Sequence, residues 1–353
     1  MTTMNTEILK IDPLKINMEK IKYAASVLKQ GGVVVFPTET VYGLGAYTFD
    51  ENAVEKIFKA KGRPQDNPLI VHVGNKQEIA LLTKEVTLKD RELINAFWPG
   101  PLTLILKKSE LVKDIVTAGL DTVAVRMPSH NVALSLIEEC SFPIAAPSAN
   151  ISGKPSPTSF EHVFEDLNGR VDLIIDSGES NIGLESTILD VTGEKPMILR
   201  PGGITIENIK RIVNNVEMHP SILKEERQIN KPKSPGMKYK HYSPGAELII
   251  VEGEMVKVSE KINELFKEYQ NKKVRTGILA TEQTYKFYDC KDLIIVGDRE
   301  NPETIASNLY KAFRDFDKRG VEVILAESIG YNDMRLAITN RMIKASDHNI
   351  VKV

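Results

Sequence analysis

Several stretches of this 353-residue chain set hydroxyls and cations at the ends of apolar runs. The densest begins at Val33-Val34-Val35-Phe36, continues through Pro37 into Thr38, Glu39, Thr40 and Tyr42, and then reaches Gly43 and Gly45. A β-branched run bounded by Gly and Pro reads as a buried strand, and Pro37 ends it by removing a backbone donor. Hydroxyls at such an end, beside glycines that let backbone approach a ligand, read as a binding floor. Lys61 and Arg63 follow on a loop broken by Gly62 and Pro64, and a second apolar run, Leu69 to Val73, carries His72. Arg126 stands near the end of a third run. Cations and hydroxyls at the mouth of an α/β sheet suit an anionic ligand, and a guanidinium at a strand's C-terminal end suits a carboxylate. Each piece also has a plain reading. Gly43-Leu44-Gly45 lacks the third glycine of a dinucleotide fingerprint, because position 48 is Thr48. Lys61 and Arg63 fit a solvated helix end, and a lone strand histidine fits a satisfied core.

The elements that must hold these residues alternate. A helix over 52–60, N-capped by Asp50, links the first two strands. Residues 75–97 read as helical, 102–106 and 121–128 as strands, 133–139 as a helix and 143–146 as a strand. Trp98 reads as a packing residue. The run from Pro147 to Thr158 combines Ser, Asn, Gly and three prolines, a stiff polar loop of the length that is more often functional than connective. Strands are expected near 173–176 and 186–191, a turn at Leu199-Arg200-Pro201-Gly202-Gly203, and a helix over 204–213. Periodicity vanishes over 217–246, where Lys231, Lys233, Lys238 and Lys240 accompany Pro232, Pro235 and Pro244. From Glu247 strands and helices alternate again, which argues for a second, small parallel sheet. Asn332, Asp333 and Arg335 before the last helix fit capping as well as function.

A chain of this length predicts two domains. Its 42% hydrophobic and 27% charged content is ordinary for a globular protein, and the net charge of −2 argues against a whole-protein nucleic-acid binder. No apolar run approaches the roughly 18 residues of a membrane span, and the N-terminus lacks the pattern of a secretory signal. Cys140 and Cys290 match no metal spacing. A cytoplasmic protein without membrane contact is the expectation.

PTETVYGLG, KGRP, NPLIVH, Pro147-Ser148-Ala149-Asn150 and SGKPSPT, spread over residues 31–200, together resemble the YrdC-like family. The string from Ser234 to Pro244, SPGMKYKHYSP, resembles the linker signature of that family's two-domain synthases. The resemblance implies an α/β fold: an N-terminal YrdC-like twisted mixed sheet with flanking helices over 1–216, a linker over 217–246 that folds over the active site, and a smaller C-terminal Rossmann-like α/β domain over 247–353. It implies synthesis of threonylcarbamoyl-adenylate and pyrophosphate from L-threonine, bicarbonate or CO2 and ATP, for threonylcarbamoyladenosine in tRNA. Threonine would meet Thr40, His72, Arg126, Ala146 and Ser186. ATP would meet Arg63, Asn67, Thr122, Ser148, Ser156, Arg200 and a linker tyrosine, mapped to Tyr242 with Tyr239 nearby. Lys61, Arg63, Ser148 and Asn150 match the family's paired Lys-x-Arg and Ser-x-Asn signature and are the expected catalytic group. Mg2+ is expected with ATP, with no protein ligand named; tRNA and a downstream threonylcarbamoyl-transfer machinery are the expected partners.

The residues themselves show why such chemistry is feasible. A carbamate attacking the α-phosphorus of ATP needs no protein nucleophile; it needs in-line placement and cations around phosphates. Three other readings compete. An RNA-binding module of the same fold would bind tRNA without chemistry, but the basic positions lack base-stacking aromatics. A hydrogenase-maturation carbamoyl-transfer module would bring Cys-rich zinc motifs, and a regulator would have lost its activity.

Overall fold

The computed structural model describes residues 5–222, 233–235 and 241–353. The chain divides into two units, Met1–Ser152 with Ser156–Lys238, and Gly153–Pro155 with Tyr239–Val353. The helices of the first unit are α1 (Met18–Lys29), α2 (Glu51–Lys61), α3 (Ile79–Leu82), α4 (Leu88–Phe97), α5 (Asp114–Thr117), α6 (Asn131–Cys140), α7 (Phe160–Leu167) and α8 (Ile206–Lys210). Its strands are β1 (Glu7–Lys10), β2 (Val34–Phe36), β3 (Gly43–Tyr47), β4 (Ile70–His72), β5 (Leu102–Lys107), β6 (Thr122–Arg126), β7 (Ile144–Ala145), β8 (Leu173–Asp176), β9 (Thr187–Asp190), β10 (Met197–Arg200) and β11 (Glu217–Met218). They form one mixed sheet in the order β1-β8-β2-β3-β7-β4-β6-β5-β9-β10-β11.

Helices α1 and α6 pack on the β8-β2-β7 part of this sheet. Ile21, Ala24, Ala25 and Leu28 of α1 meet Val132, Ala133, Leu136 and Ile137 of α6 over Val34, Phe36, Ile144, Leu173 and Ile175. Each fully buried Val, Leu, Ile or Phe side chain among them contributes roughly 1.5–3 kcal/mol. The helix starts are fixed locally: Asn17 caps α1 by accepting from Glu19 N and Lys20 N, and Asp50 caps α2 through Asn52 N and Ala53 N. Gly62, left-handed at φ 63°, ends α2 and turns the chain toward Arg63.

Four expectations change. Gly43 and Gly45 lie inside β3, antiparallel to β2, rather than in a ligand-facing loop. A Cβ on Gly45 would sit 2.7 Å from Ile144 Cγ2 and 2.8 Å from Phe36 Cε1, so this glycine serves close packing of strand against ring. The helical stretch over 75–97 is broken by Thr83, and Thr87 starts α4 with a capping box to Asp90. Arg200 ends a strand, β10, and α8 spans only Ile206–Lys210. Glu217 and Met218 pair in parallel with β10, so the first sheet runs into the stretch read as linker.

The second unit holds β12 (Glu247–Glu252), β13 (Thr276–Ala280), β14 (Leu293–Ile295), β15 (Val323–Glu327) and β16 (Ile350–Lys352), with α9 (Met255–Asn271), α10 (Pro302–Lys318) and α11 (Asp333–Ala345). All its pairings are parallel, in the order β14-β13-β15-β12-β16. Val258, Ile262 and Phe266 of α9 cover one face through Ile249, Val251, Ile278 and Leu325. Phe316 of α10 packs on the other at Gly277, where a Cβ would collide with the ring. Among the described residues no helix is long and apolar enough to cross a membrane.

A Cβ on Gly202 would overlap the backbone of Glu185, Ser186 and Thr187. Those atoms cannot swing away as a side-chain tip can. Gly202→Ala is expected to destabilise the first unit by about 1–3 kcal/mol. Urea unfolding followed by fluorescence of Trp98, the sole tryptophan and buried in this unit, measures it; an unchanged midpoint would contradict the close-packing argument.

Candidate active site

Strand register assembles the first group of side chains. His72 on β4 is opposite Arg126 on β6, and Arg126 is opposite Thr103 on β5. Paired residues on neighbouring strands share a face. Thr103 Oγ1 then lies 2.7 Å from Ser186 Oγ, just before β9. Arg200, at the end of β10, donates through Nη2 to Ser186 Oγ at 3.1 Å and through Nε to Ser186 O at 3.0 Å. A polar row thus runs His72, Arg126, Thr103, Ser186, Arg200. The apolar cluster of Ile70, Ile105, Ala124, Ile188 and Leu199 adjoins it on the same strands.

Arg126 is the centre of this row. It is 3% exposed. Its Nε donates to Gly100 O at 3.3 Å and its Nη1 to Thr40 Oγ1 at 2.9 Å. Its Nη2 lies 2.8 Å from Glu39 Oε1, an ion contact whose angle falls short of a hydrogen bond. Thr40 is fixed in turn by Thr38, whose Oγ1 lies 2.8 Å from Thr40 Oγ1 and donates to Val41 O at 2.6 Å. Burial pushes the Glu39 carboxyl up, but the Arg126 charge and backbone N–H groups outweigh it and hold Glu39 below the usual carboxylate value. Burial, and then the charge of Arg126, push the His72 imidazole down to about 3, so His72 is neutral. Its Nδ1 has no hydrogen-bond partner among the described residues. Ala146 borders the group with its N–H on Ile70 O at 2.8 Å.

The second group surrounds the end of α2. Lys61 Nζ donates to Ser148 O at 2.6 Å and Asn150 O at 2.5 Å, with Asn150 Oδ1 at 3.4 Å. Ser148 Oγ donates to that same Oδ1 at 2.5 Å. Lys61 therefore clamps the Pro147–Asn150 loop rather than projecting into solvent. Arg63 donates through Nε to Asn67 O at 3.3 Å and through Nη2 to Pro68 O at 2.9 Å. Asn67 Oδ1 is buried without a hydrogen-bond partner among the described residues. Ser156 donates to Glu185 Oε1 at 2.5 Å, one residue from Ser186.

Backbone bonds join the two groups. Gly43 bridges Ser148, Ala149 N donates to Tyr42 O at 2.8 Å, and Tyr42 N donates to Pro157 O at 2.9 Å. The Thr38–Tyr42 loop is thus stitched to both ends of the Pro147–Thr158 loop. Two further expected residues are described within their own units. Thr122 opens β6, at the far end of that strand from Arg126. Tyr242 belongs to the second unit, where its ring stacks on Tyr310 at 5.6 Å and lies 5.3 Å from the Arg341 guanidinium. Lys238, Tyr239 and Lys240 lie outside the described residues. The sequence reading assigned no role to Glu39 and overlooked Thr103; Glu39 stood beside Thr40 in plain view, while Thr103 becomes visible only through strand register.

The second unit has its own buried cluster, which the sequence did not reveal. Glu327, at the end of β15, accepts from Arg299 Nη2 at 2.7 Å, Tyr288 OH at 2.7 Å and Thr281 Oγ1 at 3.1 Å. With both carboxylate oxygens bonded, this network fits a structural role.

The neutral state of His72 sets a pH dependence. A histidine whose folded value is lowered from 6.5 to about 3 costs stability as pH falls below 6.5, because the unfolded chain takes the proton first. His72→Gln should therefore lose about 1.5 kcal/mol less than wild type between pH 6.5 and 5. Trp98-monitored unfolding at the two pH values measures it; equal losses would mean that His72 titrates normally.

Comparison with known proteins fits this geometry. Residues 26–202 match the family model described as Telomere recombination, which covers Sua5, YciO and YrdC, and residues 204–347 match the one described as Threonylcarbamoyl-AMP synthase, C-terminal domain. The threonylcarbamoyl-AMP synthase of Pyrococcus abyssi is 49% identical over 339 residues, 96% of this chain and 97% of that protein. That of Bacillus subtilis is 47% identical over 342 residues, 97% of each. The crystal structure of P. abyssi Sua5 complexed with L-threonine superposes with a TM-score of 0.94 at 48% identity, covering 99% of this chain and 100% of that one. With near-complete coverage on both sides and both family models matched in order, the chain belongs to the YrdC-like threonylcarbamoyl-AMP synthase family, in its two-domain form.

Proposed function

We propose that this chain joins L-threonine, bicarbonate or CO2, and ATP into threonylcarbamoyl-AMP and pyrophosphate, the activated intermediate for threonylcarbamoyladenosine in tRNA. The observation that carries the reading is Arg126: a buried guanidinium with Glu39 and Thr40 beside it, in a chain of this family. On this reading the threonine carboxylate takes the Nη2 face of Arg126, where a charge-assisted bond replaces an imperfect one. Thr40 and Ser186 receive the hydroxyl, with Thr103 fixing the Ser186 hydroxyl from behind. Glu39 and neutral His72 flank the amine, and Ala146 closes the wall.

The nucleotide goes to the second group. Arg63 and Arg200 bring positive charge to the phosphates, and Ser148, Asn150 and Ser156 offer hydroxyl and amide contacts. Asn67 Oδ1, a buried acceptor without a partner among the described residues, suits an amino group such as that of adenine. Lys61 acts by shaping the Ser148–Asn150 loop and adding its charge. Thr122 and Tyr242 stay on the ATP side through the family resemblance alone. In the reaction the amine captures CO2 as a carbamate. The carbamate oxygen attacks the α-phosphorus, the bond to the bridging oxygen breaks, and pyrophosphate leaves with the electron pair. Among the described residues no three His, Cys, Asp or Glu side chains gather to hold a metal ion. Mg2+ would arrive with ATP and supply charge neutralisation at its phosphates. A cytoplasmic setting, where ATP and tRNA meet, and a downstream transferase that takes up the labile product, complete the proposal.

The test is pyrophosphate release from ATP by the full chain, which should require both L-threonine and bicarbonate; equal release without threonine would refute the reading. Arg126→Ala should weaken threonine binding by roughly 1.5–3 kcal/mol and ATP binding less, and Arg63→Ala the converse, as read by calorimetry. The expected role of the 217–246 stretch, to fold over the site and shield the carbamate and the mixed anhydride from water, falls in part on residues outside those described. A fragment ending at Ile222 should then lose most product formation; full activity in that fragment would dismiss the idea.

A further inference from the structure

Strand β5 runs Leu102-Thr103-Leu104-Ile105-Leu106-Lys107, and Thr103 is the polar side chain among its buried positions. Thr103 is 0% exposed. A valine has nearly the same shape and no hydroxyl, and a buried hydroxyl costs free energy unless a hydrogen bond compensates it. Packing alone therefore does not call for threonine here. Among the described residues its hydroxyl has one partner, Ser186 Oγ at 2.7 Å. Register sets Thr103 opposite Arg126, on the row that ends at Ser186 and Arg200.

The protons of this row can be counted. Each hydroxyl carries one proton and two lone pairs. Arg200 Nη2 donates to Ser186 Oγ at 3.1 Å and fills one lone pair there. Thr103 and Ser186 hold two hydroxyl protons, and the bond between them uses one. The other has no acceptor among the described residues. Left on Thr103, it would be sealed inside the strand and stay unbonded whatever binds. Left on Ser186, it can be given to a bound molecule. A buried donor that never finds an acceptor is the costlier arrangement. Thr103 is therefore the donor of the pair when the site is filled, and both lone pairs of Ser186 Oγ are then taken. Two donors into one hydroxyl also polarise its O–H and strengthen it as a donor in turn.

We propose that Thr103 is a positioning residue that sets the substrate class of this site, by leaving Ser186 only a proton to offer. The inference rests on the reading above that Ser186 meets the hydroxyl of a bound amino acid. A hydroxyl with both lone pairs filled can only donate outward, so the site selects an α-amino acid with an acceptor oxygen on its β-carbon. L-2-Aminobutyrate, which is threonine without that oxygen, leaves the Ser186 proton unbonded and is rejected for that reason. Thr103 touches no substrate in this account; it acts through Ser186.

The experiment is calorimetric titration of the full chain with L-threonine, and with L-2-aminobutyrate in competition against it, to give the ratio of the two affinities. Thr103→Val should weaken L-threonine roughly five-fold and L-2-aminobutyrate less than about two-fold, so that the ratio falls. Thr103→Ser, which restores the hydroxyl, should return the ratio to that of wild type. Ser186→Ala should lower the ratio too, and adding Thr103→Val to it should lower the ratio no further, because the two act through one bond. A purely structural role for Thr103 would weaken both ligands alike. An unchanged ratio in Thr103→Val or in Ser186→Ala would overturn the proposal, and so would a lowered ratio in Thr103→Ser; the Ser186→Ala arm holds even where Thr103→Val does not fold. Wild type that binds L-threonine while the variants keep its ratio defeats this inference alone. Wild type that binds no L-threonine defeats the reading of the site, and this inference with it.

Discussion

A guanidinium cannot be taken out of water and left alone. Arg126 is buried in a sheet face, and the cost of desolvating such a charge runs to several kcal/mol. Much of the local architecture meets that cost. Pro37 ends β2 so that the next residues leave the sheet; Glu39 then supplies the counter-charge, Thr40 an acceptor and Gly100 a carbonyl. Thr38 holds the loop in this shape by bonding both Thr40 and Val41. Removing one partner would leave an uncompensated charge, so the loop and the arginine stand or fall together. The same charge, after burial, keeps His72 neutral, which links the protonation state of β4 to a residue on β6.

Lys61 does for the loop after β7 what Glu39 does for Arg126. Its ammonium gathers two carbonyls and an amide oxygen of the Ser148–Asn150 stretch. Such a stretch cannot bond itself as a strand does, so the cation replaces a missing ladder. Since Ser148 also bridges Gly43, and Tyr42 bonds Pro157, the loops behave as one body. Short strands thus suffice: β4 has three residues and β7 two, because side chains and loop backbone carry the remaining order.

What could be read from the sequence divides along physical lines. Local signals were legible: the Val34–Phe36 strand, the Asp50 cap of α2, and the parallel unit after Glu247 all appear where pattern and capping chemistry put them. Non-local ones were not. Gly43 and Gly45 look like ligand-facing glycines until the ring of Phe36 is placed against them from the neighbouring strand. Arg200 looks like a turn residue until β10 pairs with β9. Thr103 carries no signal at all, being one threonine in an apolar strand, and it matters only because register sets it opposite Arg126 and beside Ser186. Glu327 is similar: an acid ending a strand becomes a network only when Arg299 and Tyr288 arrive from other elements. Lys61 was found by its motif, but its clamp on the loop depends on a chain segment 87 residues away.

The protonation states also bear on how the proposed reaction is driven. An imidazole held near 3 is too weak a base to take a proton from an ammonium group at neutral pH. Glu39, kept charged by Arg126, is weaker still than an ordinary carboxylate as a proton acceptor. Neither side chain is tuned here as a general base for an amine. What they offer is complementarity. On the proposed reading Glu39 would supply negative charge near the amine, Arg126 positive charge near the carboxylate, and His72 a neutral partner that competes with neither. A site of this kind holds a zwitterion in one orientation and leaves the proton to the bicarbonate equilibrium. Its contribution to rate is then placement of the carbamate in line with the α-phosphorus, a role that needs rigidity more than reactivity. The bonds from Thr38 to Val41, from Thr103 to Ser186 and from Lys61 to Ser148 supply that rigidity from three different parts of the chain.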